Sequence, residues 1–388
     1  MRLFFILFLI SQFINSQNQL EGIILDSATN NPVEFVDIYN VHNYTTTNTD
    51  GSFLFTSEGD SIIIKKLGYQ TIHSTFQLLH KRDTIFLNET SFKLDEIVLI
   101  EGRKQLIDAL STLDKQYSYT TYEELFTMRA LLKKNDSILK LEDLSGKLKR
   151  KQLFSTEQNK MPNRNYKVEL LNLRKAGLKE QQVDFIFNSF KQIFDWMVSI
   201  AINDKIYEIN TEPIEDNITK IHFRFKDSIS QLKNEINEGY YVFDSKNRAI
   251  LEAKRKIEAP ISVLYKSKDY FFRTTYFDLN SFFQKNEDGK YFLKNARISA
   301  KVEVINAITG KVSMYTCVYI LTTQDNFKKL NTKANVSVKK DIFRIEYPYN
   351  PDFWEKQNQL LLTEEMLDFL KTVKDENNEY RSISNFKN

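Results

Sequence analysis

Runs in which apolar and polar residues alternate recur along the chain, and a period of two marks strands with one buried face. Between Leu20 and Ile100 the runs "EGIILDS", "VEFVDIYNV", "GSFLFTS" and "DSIIIKKLG" are rich in β-branched and aromatic residues, and Asn30-Asn31-Pro32, Asp50-Gly51 and Gly59-Asp60 punctuate them. Several short strands at that spacing predict a small β-sandwich. Farther on, "ITKIHFRFKD", "GYYVFDSKNRAILEAKRKI", "DYFFRTTYFDL" and "ISAKVEVINAITGKVSMYTCVYIL" continue the strand pattern. Hairpin signals at Asp288-Gly289 and Thr309-Gly310 predict antiparallel neighbours. Helical spacing appears at Leu106, Leu110, Leu113 and Tyr117, again at Phe190, Phe194, Met197 and Ala201, and at Met366, Leu370 and Val373 behind a capping Thr363. The expected fold class is mainly β. An N-terminal β-sandwich over 18–100 precedes an antiparallel α+β domain over 101–345, with a curved sheet and a few helices, and a C-terminal helical segment, 346–388, packs on that domain.

The stretch "TNTDGSF" at Thr47–Phe53 spaces its side-chain oxygens like a calcium loop. An EF-hand loop needs oxygen ligands at alternate positions before a glycine and a bidentate glutamate six residues after it. Counting from Gly51 finds Asp50, Asn48 and Thr46 before, and Ser57 where the glutamate should stand. The loop lacks an acid at its first position and the glutamate at its last. The expectation is a structural turn, with Asp50-Gly51 as the two central residues of a type I′ hairpin and Phe53 and Phe55 pointing inward on the outgoing strand.

The first residues, "MRLFFILFLISQFINSQ", join a cation at Arg2 to an apolar run from Leu3 to Ile10 and a polar end. That is the pattern of a secretory signal peptide over 1–17, cut after Ser16 or Gln17. The run is short of the roughly 20 residues that span a bilayer, and no transmembrane helix is expected in the mature chain. A net charge of +3 from 54 basic and 51 acidic residues gives no global field for nucleic acid. The single cysteine, Cys317, excludes an internal disulfide, and its alternating surroundings "MYTCVYI" predict a buried, inert thiol.

The series Gly22-x-x-x-Asp26, Pro32-Val33, Val36-Asp37-Ile38, Thr47-Asn48-x-Asp50-Gly51-x-Phe53 and Leu67-Gly68-Tyr69 resembles the carboxypeptidase regulatory-like domain. The resemblance covers about 80 residues and implies a non-catalytic, transthyretin-like β-sandwich of the kind that precedes many cell-envelope proteins; Asn48 departs from the Asp more usual there. Leu94-Asp95-Glu96-Ile97-Val98 resembles the strand that closes this domain in TonB-dependent outer-membrane receptors. "KVELLNLRKA", "EGYYVFDSKNRAILEAKRKI" and "NPDFWEKQNQLL" are similar to the uncharacterised region that follows the domain in exported envelope proteins. Its long antiparallel strands broken by helices resemble the half-barrel of periplasmic lipoprotein carriers.

A zinc carboxypeptidase site needs two histidines and a carboxylate on the metal, with a further carboxylate as base. His42, His73, His80 and His222 show no such spacing, and there is no G-x-S-x-G elbow, G-x-G-x-x-G or P-loop. Glu123-Glu124 and Glu364-Glu365 are acid pairs of the sort a glycosidase uses across a cleft, yet acids are common enough here that helix-start or solvated roles explain them. Lys147, Lys149 and Lys151 share a face of a strand, where lysines keep an exposed edge from pairing, or meet phosphates of an acidic partner. "YFFRTTYF" is expected to divide between core and surface, and Trp354 to plug the packing of the C-terminal helix. The sequence therefore predicts an exported protein, periplasmic or outer-membrane associated, with a non-enzymatic binding or assembly role. It has no catalytic residue, metal or cofactor to name, its binding residues are unknown, and an envelope protein, a glycan or a lipid is its partner. Two alternatives stand beside it. One is an outer-membrane receptor or transport accessory, although the chain after Ile100 is too short for a plug and a barrel of about 22 strands at about 10 residues each. The other is an envelope enzyme with an unrecognised site.

Overall fold

The structure is a computed structural model that describes residues 18–41, 43–90, 104–107, 116–117, 121–151, 153–156, 166–178, 185–200, 203, 205–215, 217–286, 288–325, 330–356, 360–374 and 382–384. The expected signal peptide, His42, the segment Leu94–Ile100, and Leu110, Leu113 and Ala201 lie outside them. The described residues fall into two compact units, one within 1–91 and 356–367, the other within 92–355 and 368–388. No helix among them is long and apolar enough to cross a membrane.

The first unit is built from β1 (Asn18–Asp26), β2 (Asp37–Tyr39), β3 (Tyr44–Thr46), β4 (Ser52–Ser57), β5 (Ser61–Lys65), β6 (Ile72–Thr75), α1 (Phe76–Leu79) and β7 (Thr84–Leu87). One sheet runs β4-β1-β7 and the other β3-β2-β5-β6. Alternation does the work the sequence implies: Ile24, Phe53, Phe55 and Ile85 from the first sheet meet Ile38, Ile62 and Ile64 from the second in a common core. Asp26, at the end of β1, accepts bonds from the Ala28 and Thr29 amides (3.0 and 2.7 Å) and from the Tyr69 hydroxyl (3.0 Å). Two residues of the resemblance series are thus tied across 43 positions of chain.

The two-residue type I′ hairpin expected at Asp50-Gly51 is not what forms. Gly51 is left-handed (φ +73°) and Asp50 is not. The turn spans four residues, closed by Gly51 N–H to Asn48 O at 3.0 Å, while Asn48 Oδ1 accepts from the Asp50 and Ser52 amides (3.0 and 2.9 Å). A hairpin turn must pair the strands it joins, whereas β3 pairs with β2 and β4 with β1, so this turn carries the chain from one sheet to the other. A type I′ hairpin does occur at Asn135-Asp136, where φ is +48° and +66° and Lys134 faces Ser137.

The second unit contains β8 (Tyr122–Lys134), β9 (Ser137–Arg150), β10 (Ser155–Thr156), β11 (Tyr166–Leu178), α2 (Phe190–Met197), β12 (Ser199–Ile200), β13 (Tyr207–Glu215), β14 (Ile218–Phe225), α3 (Asp227–Lys233), β15 (Ile236–Asp244), β16 (Ala249–Glu258), β17 (Tyr265–Ser267), β18 (Tyr270–Lys285), β19 (Tyr291–Asn306), β20 (Val312–Asp325) and β21 (Ser382–Ser384). Except for the short β10–β12 pair, these strands form one sheet in the order β13-β14-β15-β16-β18-β19-β20-β8-β9-β11-β21, with β17 beside the start of β18. The two expected hairpins join β18 to β19 and β19 to β20, with Gly289 and Gly310 left-handed (φ +73° and +67°).

A Ser189 capping box starts α2, whose Phe190, Phe194 and Met197 are buried. Phe194 lies 5.5 Å from the ring of Tyr166 on β11, Trp196 lies 5.7 Å from Phe277 on β18, and Met197 O accepts from Ser281 Oγ at 2.7 Å. In a flat sheet β11 and β18, five strands apart, would stand about 24 Å from one another. An eight-residue helix is about 12 Å long. Touching both requires the sheet to curl around the helix. β13 and β21 remain unpaired edges on the described path, so the sheet is not closed into a barrel, and the outer-membrane barrel alternative does not fit this unit. After the sheet, α4 (Pro351–Lys356) and α5 (Glu364–Lys374) follow; Thr363 caps α5, whose Met366, Phe369 and Val373 are buried.

Candidate functional site

Within each unit, the described residues singled out by sequence do not gather. His73 is exposed on β6 and His80 exposed at the end of α1, while His222 belongs to the other unit, its Nε2 3.0 Å from Glu212. Glu123 and Glu124 point to opposite faces of β8. Glu123 binds Lys149 at 3.0 Å, and Glu124 binds the buried Arg150 Nε at 2.8 Å. Glu364 and Glu365 are exposed in the first turn of α5, where acids suit the helix dipole. Cys317 is fully buried, and burial pushes its thiol up to about 12. Trp354 is buried with the Arg174 guanidinium 5.1 Å from its ring.

The lysine stripe was expected on an edge, and the structure corrects this. β9 is an interior strand between β8 and β11. Lys147 reaches Glu169 on β11 at 3.3 Å and Lys149 reaches Glu123 on β8, so both charges are met by acids on the flanking strands. Lys151 lies exposed beyond the strand end.

A groove suited to binding lies where no single stretch of sequence could show it. β14 reads "ITKIHFRF", with Ile221, Phe223 and Phe225 buried on one face and Lys220, His222 and Arg224 on the other. Antiparallel register aligns that second face with its neighbours. Glu208, Arg224, Glu238 and Lys256 stand opposite one another across β13–β16, and two positions along, Asn210, His222, Tyr240 and Lys254 make a second row. Together with Phe223 and Gly239 they line an open groove of about 380 Å³.

Both rows are held by side-chain bonds. Arg224 Nε donates to Glu208 at 2.8 Å, Lys256 meets Glu258 at 2.6 Å, and Tyr240 OH donates to Glu252 at 3.1 Å. Lys220 Nζ sits 4.4 Å from the centre of the Tyr240 ring. Burial, then the Glu252 carboxylate, holds the Tyr240 phenol well above its ordinary value, so it remains a hydrogen-bond donor at any physiological pH. Gly239 is required by packing, since a Cβ there would lie 2.0 Å from Lys254 O and 2.7 Å from the Phe223 ring. With donors and acceptors interleaved, the groove favours a ligand that can both give and receive hydrogen bonds over a dense polyanion, which would meet Glu208 and Glu238.

No family model and no curated protein matches the chain. Among solved structures it is similar to a LolA-superfamily protein from Nitrosomonas europaea, at 10% identity over 61% of this chain and 99% of that one, with a TM-score of 0.23. It is also similar to a Bacteroides fragilis protein of unknown function, described as membrane-associated, at 10% identity over 79% of this chain and 98% of that one, with a TM-score of 0.14.

Proposed function

We propose that this is an exported, non-enzymatic binding protein of the cell envelope, in which a regulatory-like β-sandwich accompanies a curled antiparallel domain that holds a neutral, hydroxyl-rich ligand of the glycan class. The observation that carries the reading is the pair of polar rows across β13–β16. Amide, imidazole, phenol and ammonium groups repeat at the strand spacing of about 4.8 Å, a distance comparable to the reach between hydroxyls on adjacent sugar units. The signal-like N-terminus supports export.

The test is titration calorimetry of the full mature chain against soluble neutral oligosaccharides, chitin-type and surface-polysaccharide fragments among them. Asn210→Ala with Lys254→Ala, both exposed and at the two ends of the second row, should weaken binding about tenfold or more without moving the melting temperature. Equal affinity in wild type and double variant, or no heat with any glycan, sinks the reading. Turnover of any of these glycans by the wild type would replace it with the enzyme alternative.

A further inference from the structure

At the end of the second unit's sheet where β16 stops, just past Lys256 of the groove's first row, large apolar side chains stand out of the protein. Ile261, Val263 and Leu264 belong to the connection after β16, Tyr265 opens β17, and Ile308 and Val312 flank the β19–β20 turn. Ile308 is 78% exposed, Val263 72% and Ile261 69%. Scattered exposed apolar residues are ordinary on any protein; six on adjoining loops are not. Register sets β17 and the start of β20 at the same end of β18 and β19, because Tyr265 faces Phe272, Tyr270 faces Asn306 and Ile305 faces Val312.

Hydrogen bonds from backbone and side chains fix the loops. Ala259 N–H donates to Thr275 O at 2.9 Å and Ser262 Oγ to Thr274 O at 3.0 Å, anchoring the connection after β16 to β18, while Ala307 N–H donates to Asp269 O at 2.7 Å, tying the β19–β20 turn to the β17–β18 turn. Asn306 Oδ1 accepts from the Ile308 and Thr309 amides, each at 2.9 Å. Side chains presented this way lose little further freedom on meeting a surface.

Charge around the patch selects the surface. Lys266, Lys268 and Lys311 are exposed beside these loops. The nearby acids are largely answered, Glu303 by Arg273 at 2.9 Å and Glu258 by Lys256 at 2.6 Å, which leaves Asp269 against three lysines. An apolar tip within a collar of ammonium groups matches the boundary of a bilayer, where acyl chains lie beneath anionic headgroups. We infer that this end of the sheet inserts its apolar loops into the surface of an anionic membrane, with Lys266, Lys268 and Lys311 on the headgroup phosphates. It adjoins the groove through the Lys256–Glu258 pair, while Val263, Ile308, Lys266, Lys268 and Lys311 line no part of the groove. A protein so seated would scan polar material next to the lipid face.

Co-sedimentation with vesicles tests it. The full mature chain should pellet with vesicles of equal phosphatidylglycerol and phosphatidylcholine, and at least tenfold less with phosphatidylcholine alone. Val263→Ser with Ile308→Ser should lower binding about tenfold at unchanged melting temperature. Lys266→Gln, Lys268→Gln and Lys311→Gln together should abolish the preference for anionic lipid, as should about 0.5 M salt. Equal binding to both vesicle types, or serine variants that bind like wild type, overturns the inference. So does a concentration-dependent dimer that the serine variants abolish, which would make this face a contact between two copies. Inorganic phosphate that competes fully at millimolar concentration would instead show a simple anion site and also overturn it. Glycan affinity should be the same in all these variants, so this test and that of the groove fail separately.

Discussion

Glu142 sits on β9 between Ala130 of β8 and Lys175 of β11, fully buried, with Lys175 Nζ 3.5 Å away as a loose ion pair. Burial drives its carboxyl up to about 7, against the downward pull of Lys175 and Lys140. An acid whose folded value exceeds its unfolded one holds its proton more tightly in the native state, so its contribution is full below the ordinary value of 4.5 and is lost as pH rises towards 7. Glu142→Gln removes the charge and keeps the shape. It should be nearly neutral at pH 4 and stabilising at pH 8, the difference being on the order of 1–3 kcal/mol. Urea midpoints at the two pH values check this, and an identical shift at both would show that Glu142 ionises at no cost. The next residue, Asp143, faces the other way and binds Arg129 at 2.7 Å and also Arg174. Two adjacent acids thus have opposite surroundings, and nothing in "LEDL" tells them apart, because every ion-pair partner lies at least 14 residues away. The lysine stripe was misjudged for the same reason: its acids come from strands 22 and 26 residues distant.

Elements were legible wherever the signal was local. Alternation marked the strands, the Phe190-Phe194-Met197 spacing marked α2, and Asp-Gly and Thr-Gly marked the turns beside β19. What a turn connects is a different matter. Asn48-Thr49-Asp50-Gly51 and Asn286-Glu287-Asp288-Gly289 share a sequence pattern and a closing bond, glycine N–H to asparagine O at 3.0 Å in each. The second makes a hairpin and the first crosses between sheets, a choice set by which strands find partners. The difference can be measured. Both glycines have φ +73°, so alanine costs about 1 kcal/mol of backbone strain at either site. At Gly289 a Cβ would meet nothing within 4 Å, whereas at Gly51 it would lie 2.4 Å from Ile24 O near the end of β1. Gly51→Ala should therefore lower the melting temperature of its unit by several degrees more than Gly289→Ala lowers that of its own. Equal losses would mean that the crossing turn can shift away from β1.

Over the whole molecule, the mainly β plan follows from patterning, but its long-range seams do not. The second unit's sheet is joined by β20 against β8, where Tyr315–Asp325 face Lys134–Glu124 across nearly two hundred residues of chain, and the groove depends on four strands holding one register. Neither leaves a local trace, since strand pairing is decided by partners and not by either strand's own sequence. Each unit nevertheless has its own closed core, which makes the division testable. Phe55, fully buried, stacks on Phe76 at 5.4 Å in the first unit, and Leu144, fully buried, packs in the second. Truncation to alanine at such positions costs about 2–5 kcal/mol. The chain's two tryptophans, Trp196 and Trp354, both belong to the second unit, so their fluorescence reports its unfolding alone. Leu144→Ala should lower the fluorescence-detected melting temperature by several degrees. Phe55→Ala should leave it in place while bringing forward part of the loss of β-signal in circular dichroism. If Phe55→Ala moves the tryptophan transition as far as Leu144→Ala does, the two cores melt as one cooperative body.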